Sequence, residues 1–520
     1  MSKNGQIEYN SIKINFDRGW NEFTFNKIQR RISQESEAGI KQYLNFFNRD
    51  LVRAGRERLT AQEMIELLEW YDYVKDGTSF TFLRDRDLGA FWAFEKTLNN
   101  NDENALTFTR TAGTASNASY TDPSTGLLTF EDTLNTPRYD SGKYGHGLVI
   151  EGTRTNLVQN QGMDHADWVK TNFTVSDNNT TEILDPAGGN NSDKITAAAN
   201  GGNAVYTGPA VSTNDGAFSV WIACPSGTVA GQIIIDDASV TNTTTQGYTA
   251  TPIWQRIQVP YENIGDPADT WTATINITTS GDVIYVYGPQ LEAGANVLFA
   301  SNFILTSGAT KDRNTERAKL APTNIIGNSK GTIAFWFTPE IQDLTKHAGL
   351  ALFEHGDSGG GDIHLKMSID TSSRLLVQTW DALGSSIDAL ETIPSFTAGE
   401  PAYIAMTYDS TISNGIKAYY NGVLLKTSTN DAYVPIANQD FFNIGTTRVG
   451  GAPAFGIFDE FKIRKDVLSL AQIRSIYQRG RGEGTRRNRW TLALTDPNFN
   501  PVWKAGNRFS FQMNAEEVIT

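Results

Sequence analysis

Asp357 and Asp362 sit in a glycine-rich run, Gly356-Asp357-Ser358-Gly359-Gly360-Gly361-Asp362, with His355 before it and His364 after it. Carboxylates and imidazoles are good ligands for metal ions, which makes this run a candidate metal or sugar loop. The commoner meaning of such a run is a plain hairpin. The other histidines are His146, His165 and His347, so five in all are spread over the whole chain and offer little acid–base chemistry. Two tryptophans lie in polar surroundings. Trp271 follows Asp266-Pro267-Ala268-Asp269-Thr270, and Trp380 precedes Asp381. An indole face can hold the apolar face of a sugar ring while neighbouring Asn or Asp groups take its hydroxyls. Trp271 and Trp380 are therefore candidate carbohydrate-binding residues, with a packed tryptophan at a sandwich edge as the commoner alternative. Trp221 and Trp336 are flanked by apolar residues and read as core.

No catalytic residue is assigned. A glycosidase needs two carboxylates across the scissile bond, roughly 5–10 Å apart. Asp459 and Glu460 are adjacent, so on a strand they point to opposite faces. The chain has no G-x-S-x-G elbow, no H-E-x-x-H pair and no phosphate loop. The expectation is a protein that is not an enzyme.

The elements that must position these residues are mostly strands. The chain has 520 residues, enough for three or four domains, and its 27 Phe, 18 Tyr and 11 Trp can fill several cores. Its net charge of −14 argues against nucleic acid as a partner, since a nucleic-acid binder needs a basic face against phosphate. The single cysteine, Cys224, excludes an internal disulfide and reads as a small core residue. The first residues, MSKNGQIEYNS, have no apolar secretion segment, and no window is apolar enough to span a membrane. Assembly in a reducing cytoplasm is expected.

Ile12, Ile14 and Phe16 alternate, as do Phe23 and Phe25, which predicts two early strands. Thr60-Ala61-Gln62-Glu63 is a capping box. It opens a predicted helix whose stripe is Met64, Leu67, Leu68 and Tyr71, ended by Asp76-Gly77. Ser79–Leu83 predicts the next strand, and Arg489–Leu494 and Phe509–Met513 predict two more at the far end. The stretch 479–489 is a Gly- and Arg-rich linker. Between 156 and 305, short apolar runs such as Phe218–Ile222 and Ile284–Tyr287 alternate with Gly, Asn, Asp and Thr turns, the pattern of a jelly roll. From Gly331 onward the apolar runs are longer, and Asn421-Gly422 is a type I′ hairpin signal.

Two resemblances follow from ordered motifs. Phe108-Thr109-Arg110, Pro137-Arg138-Tyr139-Asp140, Gly147-Leu148-Val149-Ile150-Glu151 and Arg154-Thr155-Asn156 succeed one another as they do in tailed-bacteriophage structural proteins. The segment from Tyr287 to Glu316 resembles the end of the carbohydrate-binding-like jelly roll that follows Arg-Thr-Asn in those proteins. Residues 1–89, closed by the C-terminal strands, resemble the small attachment domain of phage tail proteins. Separately, Gly331–Phe337, Tyr419-Tyr420-Asn421-Gly422, Phe458-Asp459-Glu460-Phe461 and Leu468–Ile473 resemble, in order, a laminin-G or concanavalin A-like lectin domain. Enzymes of that fold usually carry a Glu-x-Asp-x-Glu run, which this chain lacks.

The resemblances imply a mainly β protein. A small α+β attachment domain (1–89 plus 485–520) would carry a concanavalin A-like sandwich (90–155 plus 306–484), with a jelly roll (156–305) inserted into it. A plain tandem arrangement of the sandwiches is the alternative. They imply a virion component, a tail or baseplate ring protein whose lectin-like domains project outward to host-surface polysaccharide. Its partners would be other copies of itself in a symmetric ring and neighbouring tail proteins. Alternatives are a capsid decoration or head fibre, and a tail-associated glycan hydrolase. Related jelly rolls hold calcium near their termini, which makes Glu292 a candidate ligand beside Asp357 and Asp362. No other cofactor is implied.

Overall fold

The computed structural model describes residues 6–9, 12–15, 22–35, 41–59, 80–83, 90–92, 106–110, 118–131, 133–176, 182–211, 215–237, 243–262, 269–294, 297–320, 326–327, 329–341, 349–356, 363–380, 386–393, 397–428, 441–479, 489–494, 502–504 and 508–517. The helix expected from Thr60, the loop 357–362 and most of the Gly- and Arg-rich linker lie outside them. The chain divides into two units, Met1–Ala90 with Arg481–Thr520, and Phe91–Gly480.

In the first unit one sheet runs in the order Ile12–Asn15, Gln6–Tyr9, Phe80–Leu83, Arg489–Leu494, Arg508–Glu517, Lys41–Leu59, Glu22–Glu35. Two strands from the C-terminal end thus lie side by side between strands from the N-terminal end. Trp490 pairs with Phe82, and Met513 with Ala54.

The second unit is mainly β and holds two sandwiches. In the larger, one sheet orders Tyr139–Gly142, Gly145–Ile150, Gly456–Arg464, Lys330–Pro339, Ala402–Asp409, Lys417–Tyr420 and Val423–Thr427. The facing sheet orders Ser386–Thr392, Arg374–Trp380, Ile363–Ile369, Leu350–Gly356, Phe441–Ile444, Glu316–Leu320 and Thr107–Arg110. Segments far apart in sequence therefore share each sheet. Phe335 lies between the layers, stacked on Phe461 at 4.9 Å and edge-on to Phe353 at 6.5 Å. Asn421 and Gly422 both have positive φ, 48° and 77°, which gives the type I′ turn that Asn-Gly favours. Ser469 and Gln472 form a reciprocal cap, with backbone-to-side-chain bonds of 2.8 and 3.3 Å, and start the helix Leu470–Arg479. That helix lays Tyr477 on Trp336, with ring centroids 5.8 Å apart.

The smaller sandwich has two five-stranded sheets. One orders Trp168–Thr171, Gly202–Val211, Asp269–Ile277, Val229–Asp237 and Thr243–Ala250. The other orders Phe173–Ser176, Asp193–Ala197, Val283–Ala293, Asp215–Ala223 and Gln255–Glu262. Alternation fills the core, since residues two apart on a strand share a face. Trp271, Ala273, Ile275 and Ile277 all point inward, as do Phe218, Val220 and Ile222. Cys224 is buried in the same core. The chain leaves the larger sandwich at Arg154–Asn156 and returns at Lys311–Arg313, and these two segments pair antiparallel.

Candidate functional site

The charged residues of the ordered motifs converge inside the second unit. Arg138 donates through Nε to Glu316 Oε1 at 2.7 Å and through Nη2 to Glu151 Oε2 at 2.6 Å. Arg313 Nη1 lies 2.9 Å from Glu151 Oε2, and Arg110 Nη1 lies 3.3 Å from Glu316 Oε1. None of these five side chains is more than 1% exposed. Burial alone would raise the Glu151 carboxyl, but Arg313 and Arg138 outweigh it and hold it well below the usual carboxylate range. Burial likewise opposes the Arg138 charge, and Glu316 and Glu151 more than offset it. Asn156 donates to Ile304 O at 2.8 Å and accepts from the Val158 and Leu291 N–H groups at 3.0 and 3.2 Å. The network is buried and tied to surrounding backbone, with Arg138 donating to Ser119 O and Glu151 accepting the Asn302 N–H. It joins strands of the larger sandwich to the return segment of the smaller one and offers no face to a ligand.

Glu292 belongs to this buried region and not to a rim. Its carboxylate accepts from Gln290 Nε2 and the Ser301 N–H, both at 2.9 Å, and from the Ser301 hydroxyl. Burial pushes its carboxyl upward. A calcium ligand needs open, ionised oxygens, so the expectation for Glu292 is corrected.

The expectation for Trp271 is corrected as well. It is 1% exposed, edge-on to Tyr261 at 5.5 Å, and its alternation with Ala273 and Ile275 turns it into the core. Trp380 ends the strand Arg374–Trp380 opposite Ser386, and its side chain lies outside the described residues. Trp336 is core, at 4% exposure. Trp221 is half-buried on the other face of its strand from Phe218 and Val220, beneath the Arg256 guanidinium at 4.6 Å. Asp357 and Asp362 lie outside the described residues. Their neighbours His355 and His364 are buried, with rings 5.6 Å apart and His355 Nδ1 2.7 Å from Phe441 O. Among the described residues no three His, Cys, Asp or Glu side chains are grouped to hold a metal ion. Asp459 is buried and accepts the Tyr144 N–H at 2.8 Å.

An open cleft of about 730 Å³ lies on the smaller sandwich. Its floor is Val286, Tyr287 and Gly288, flanked by Leu305, Thr306 and Ser307. One wall is the loop Asn160, Gln161, Gly162, Asp164 and His165; the other is Ala187, Gly189 and Asn191, with Asp193 between them and Phe130 closing one side. Each wall has an internal scaffold. Asp185 gathers the second loop by accepting from the N–H groups of Ala187, Gly189 and Asn191 at 2.8, 2.9 and 2.9 Å. Such Asx geometry is why Asp and Gly dominate this loop. The Leu128 N–H, donating to Pro186 O at 2.8 Å, anchors the Phe130 strand to it. In the first loop, Asp193 Oδ2 accepts the Met163 N–H at 2.6 Å. Asn160 donates to Asp167 at 2.6 Å, and Lys170 caps the carbonyls of Met163, Asp164 and His165. Below the floor, Phe303 meets Phe130, Trp221 and Tyr287 at 6.0, 5.3 and 5.9 Å. The cleft thus sets one half-buried aromatic side chain, Phe130, beside amides, carboxylates and an imidazole, with the buried Tyr287 beneath.

None of these cleft residues was named as a ligand contact from the sequence, although Tyr287, Gly288, Leu305, Thr306 and Ser307 lie in the jelly-roll-like segment Tyr287 to Glu316. The available signal was the turn-rich Asp185-Pro186-Ala187-Gly188-Gly189-Asn190-Asn191, which marks a built loop without saying what it faces.

Residues 312–474 match the laminin-G family described as the concanavalin A-like lectin/glucanases superfamily. No curated protein matches the chain. Among solved structures, the chain is similar to the Ruminococcus gnavus IT-sialidase CBM40 bound to alpha2,3 sialyllactose. The identity is 19% over 29% of this chain and 84% of that one, with a TM-score of 0.25. It is also similar to the receptor-binding domain of botulinum neurotoxin C/D mosaic serotype, at 13% identity over 32% of this chain and 40% of that one, with a TM-score of 0.27. It therefore spans well under half of that toxin domain. The larger sandwich, through its segment 312–474, matches a concanavalin A-like lectin domain within a mainly β chain.

Proposed function

We propose that this protein is a glycan-binding structural component of a tailed-bacteriophage virion, in a tail or baseplate ring, and not an enzyme. The observation that carries the binding half is the cleft, where the half-buried Phe130 side chain stands beside the amides of Asn160, Gln161 and Asn191. Aromatic faces take the C–H side of a sugar ring, and amides take its hydroxyls, which is the economy of a small-ligand site. The lectin-like segment 312–474 supports the same class of ligand. The virion half is supported by the order of the Phe-Thr-Arg to Arg-Thr-Asn motifs and by the attachment-like sheet made from both chain ends. Its partners are then copies of itself in a ring, neighbouring tail proteins and host-surface polysaccharide.

One observation favours a hydrolase instead: Asp164 and Asp193 both line the cleft. Asp193 is buried, however, and one of its oxygens is engaged by the Met163 N–H, a role in shaping the loop. Binding without cleavage is the better reading.

Screening the full chain against host-type polysaccharides tests the binding half, with reducing-end release scored in parallel. Retained glycan with no new reducing ends is expected, and steady release would replace the binding reading with hydrolysis. Electron cryo-microscopy of virions tests the other half. Density for this chain on the capsid shell would overturn the tail assignment.

A further inference from the structure

We infer that the cleft discriminates by charge, accepting neutral or amine-bearing sugars and rejecting carboxylated ones; this rests on the reading of the cleft as a glycan site. Two of its lining side chains are carboxylates. Asp164 Oδ1 and Asp193 Oδ2 lie 2.5 and 4.0 Å from the point where a Cβ on Gly162 would stand. The missing side chain at Gly162 lets both oxygens gather at one spot on the wall. No Lys or Arg lines the cleft among the described residues. The one ammonium seated on this loop, Lys170, donates to the carbonyl oxygens of Met163, Asp164 and His165 at 3.1, 2.9 and 3.1 Å. An ammonium has three N–H donors, and all three are used, so Lys170 can meet an incoming carboxylate only by releasing the loop. His165 Nδ1 lies 3.2 Å from both the N–H and the Oδ2 of Asp167, so this side of the ring is engaged within the loop.

An anionic sugar entering this wall meets the carboxylates of Asp164, Asp167 and Asp193, more negative charge than the single Lys170 ammonium balances, and discrimination through repulsion costs nothing in contacts to the preferred ligand. Two like charges about 6 Å apart near a protein surface repel enough to weaken binding about tenfold or more.

The test is a titration of the full chain with the neutral, amino and uronic acid forms of glucose and of galactose. Uronates are expected to bind about tenfold more weakly than the neutral sugar of the same series at low salt. That ratio should shrink at about 0.5 M salt, where screening shortens the range of charge to a few ångströms. It should shrink also in Asp164→Asn, an exposed position whose change leaves the fold intact. A uronate that binds as tightly as its neutral partner overturns the inference and leaves the glycan reading standing. Binding of none of the six sugars, nor of any polysaccharide in the screen above, overturns both.

Discussion

The buried junction around Glu151 and the cleft beside Gly162 use the same kinds of side chain and treat them in opposite ways. At the junction, Arg138, Arg313, Glu151 and Glu316 are linked by ion pairs and are 0% exposed. At the cleft, Asp164, His165 and Asn191 are exposed, and the bonds that define the site are made behind them by Asp185, Asp193 and Lys170. The motif-like residues build architecture, and the residues that face solvent with binding chemistry come from loops without a motif. A charged residue in a strongly ordered pattern is therefore no guide to a ligand until its exposure is known.

The sharpest way to break this contrast is Arg138→Ala. It leaves Glu151 and Glu316 buried without their main partner, and a loss of about 3–5 kcal/mol in urea unfolding is expected. A loss below about 1 kcal/mol would mean the junction is wet and is not a structural knot. Trp271→Ala should cost about 3–4 kcal/mol through the cavity it opens beside Tyr261, with little effect on sugar affinity. The reverse pattern would return Trp271 to the surface.

Acid separates two buried carboxyls of opposite sign. Glu151 is depressed, so its contribution is present at neutral pH and is lost as pH falls through its low folded value. Burial raises Asp459 to about 6 from an ordinary 3.8. It binds its proton more tightly in the folded state, so stability falls as pH rises from about 4 to about 6 and then levels. Asp459→Asn should flatten that stretch of the curve and add up to about 3 kcal/mol at neutral pH. A mutant curve parallel to the wild type there would remove Asp459 from the account. The smallest effect is expected at the cleft. Phe130→Ala should weaken glycan binding about fivefold, near 1 kcal/mol, while the melting temperature hardly moves. Unchanged affinity would detach the aromatic wall from binding.

The mainly β class and the lectin-like segment were legible because the strands there are long apolar runs. Lys330–Pro339 is buried at every residue after the first, and such runs need no partner to be noticed. The polar loop before Trp271 made it a sugar-binding candidate, but packing was the commoner reading, and its spacing with Ala273, Ile275 and Ile277 carries the inward period of two. The cleft as a site was not legible, although part of it comes from the jelly-roll-like segment Tyr287 to Glu316. Phe130, Asn160, Asn191, Tyr287 and Thr306 are brought together only by pairing across the sandwich, and no local pattern links them. The buried junction was hidden for a different reason, because Arg and Glu are ordinarily surface residues and their burial depends on partners up to 206 positions away.

The ladder in which Arg154 pairs with Arg313 and Asn156 with Lys311 has a bearing on how such a chain changes over generations. The points where the smaller sandwich leaves and rejoins the larger one are neighbours, so a crossover at those two places exchanges a whole domain while the flanking strands keep their register. A two-residue turn would close the gap if nothing were put back, and closing even a long insertion costs little more entropy than closing a short one. The smaller sandwich in such a lineage is then open to exchange at a single neck, without rebuilding the sheet that bears it.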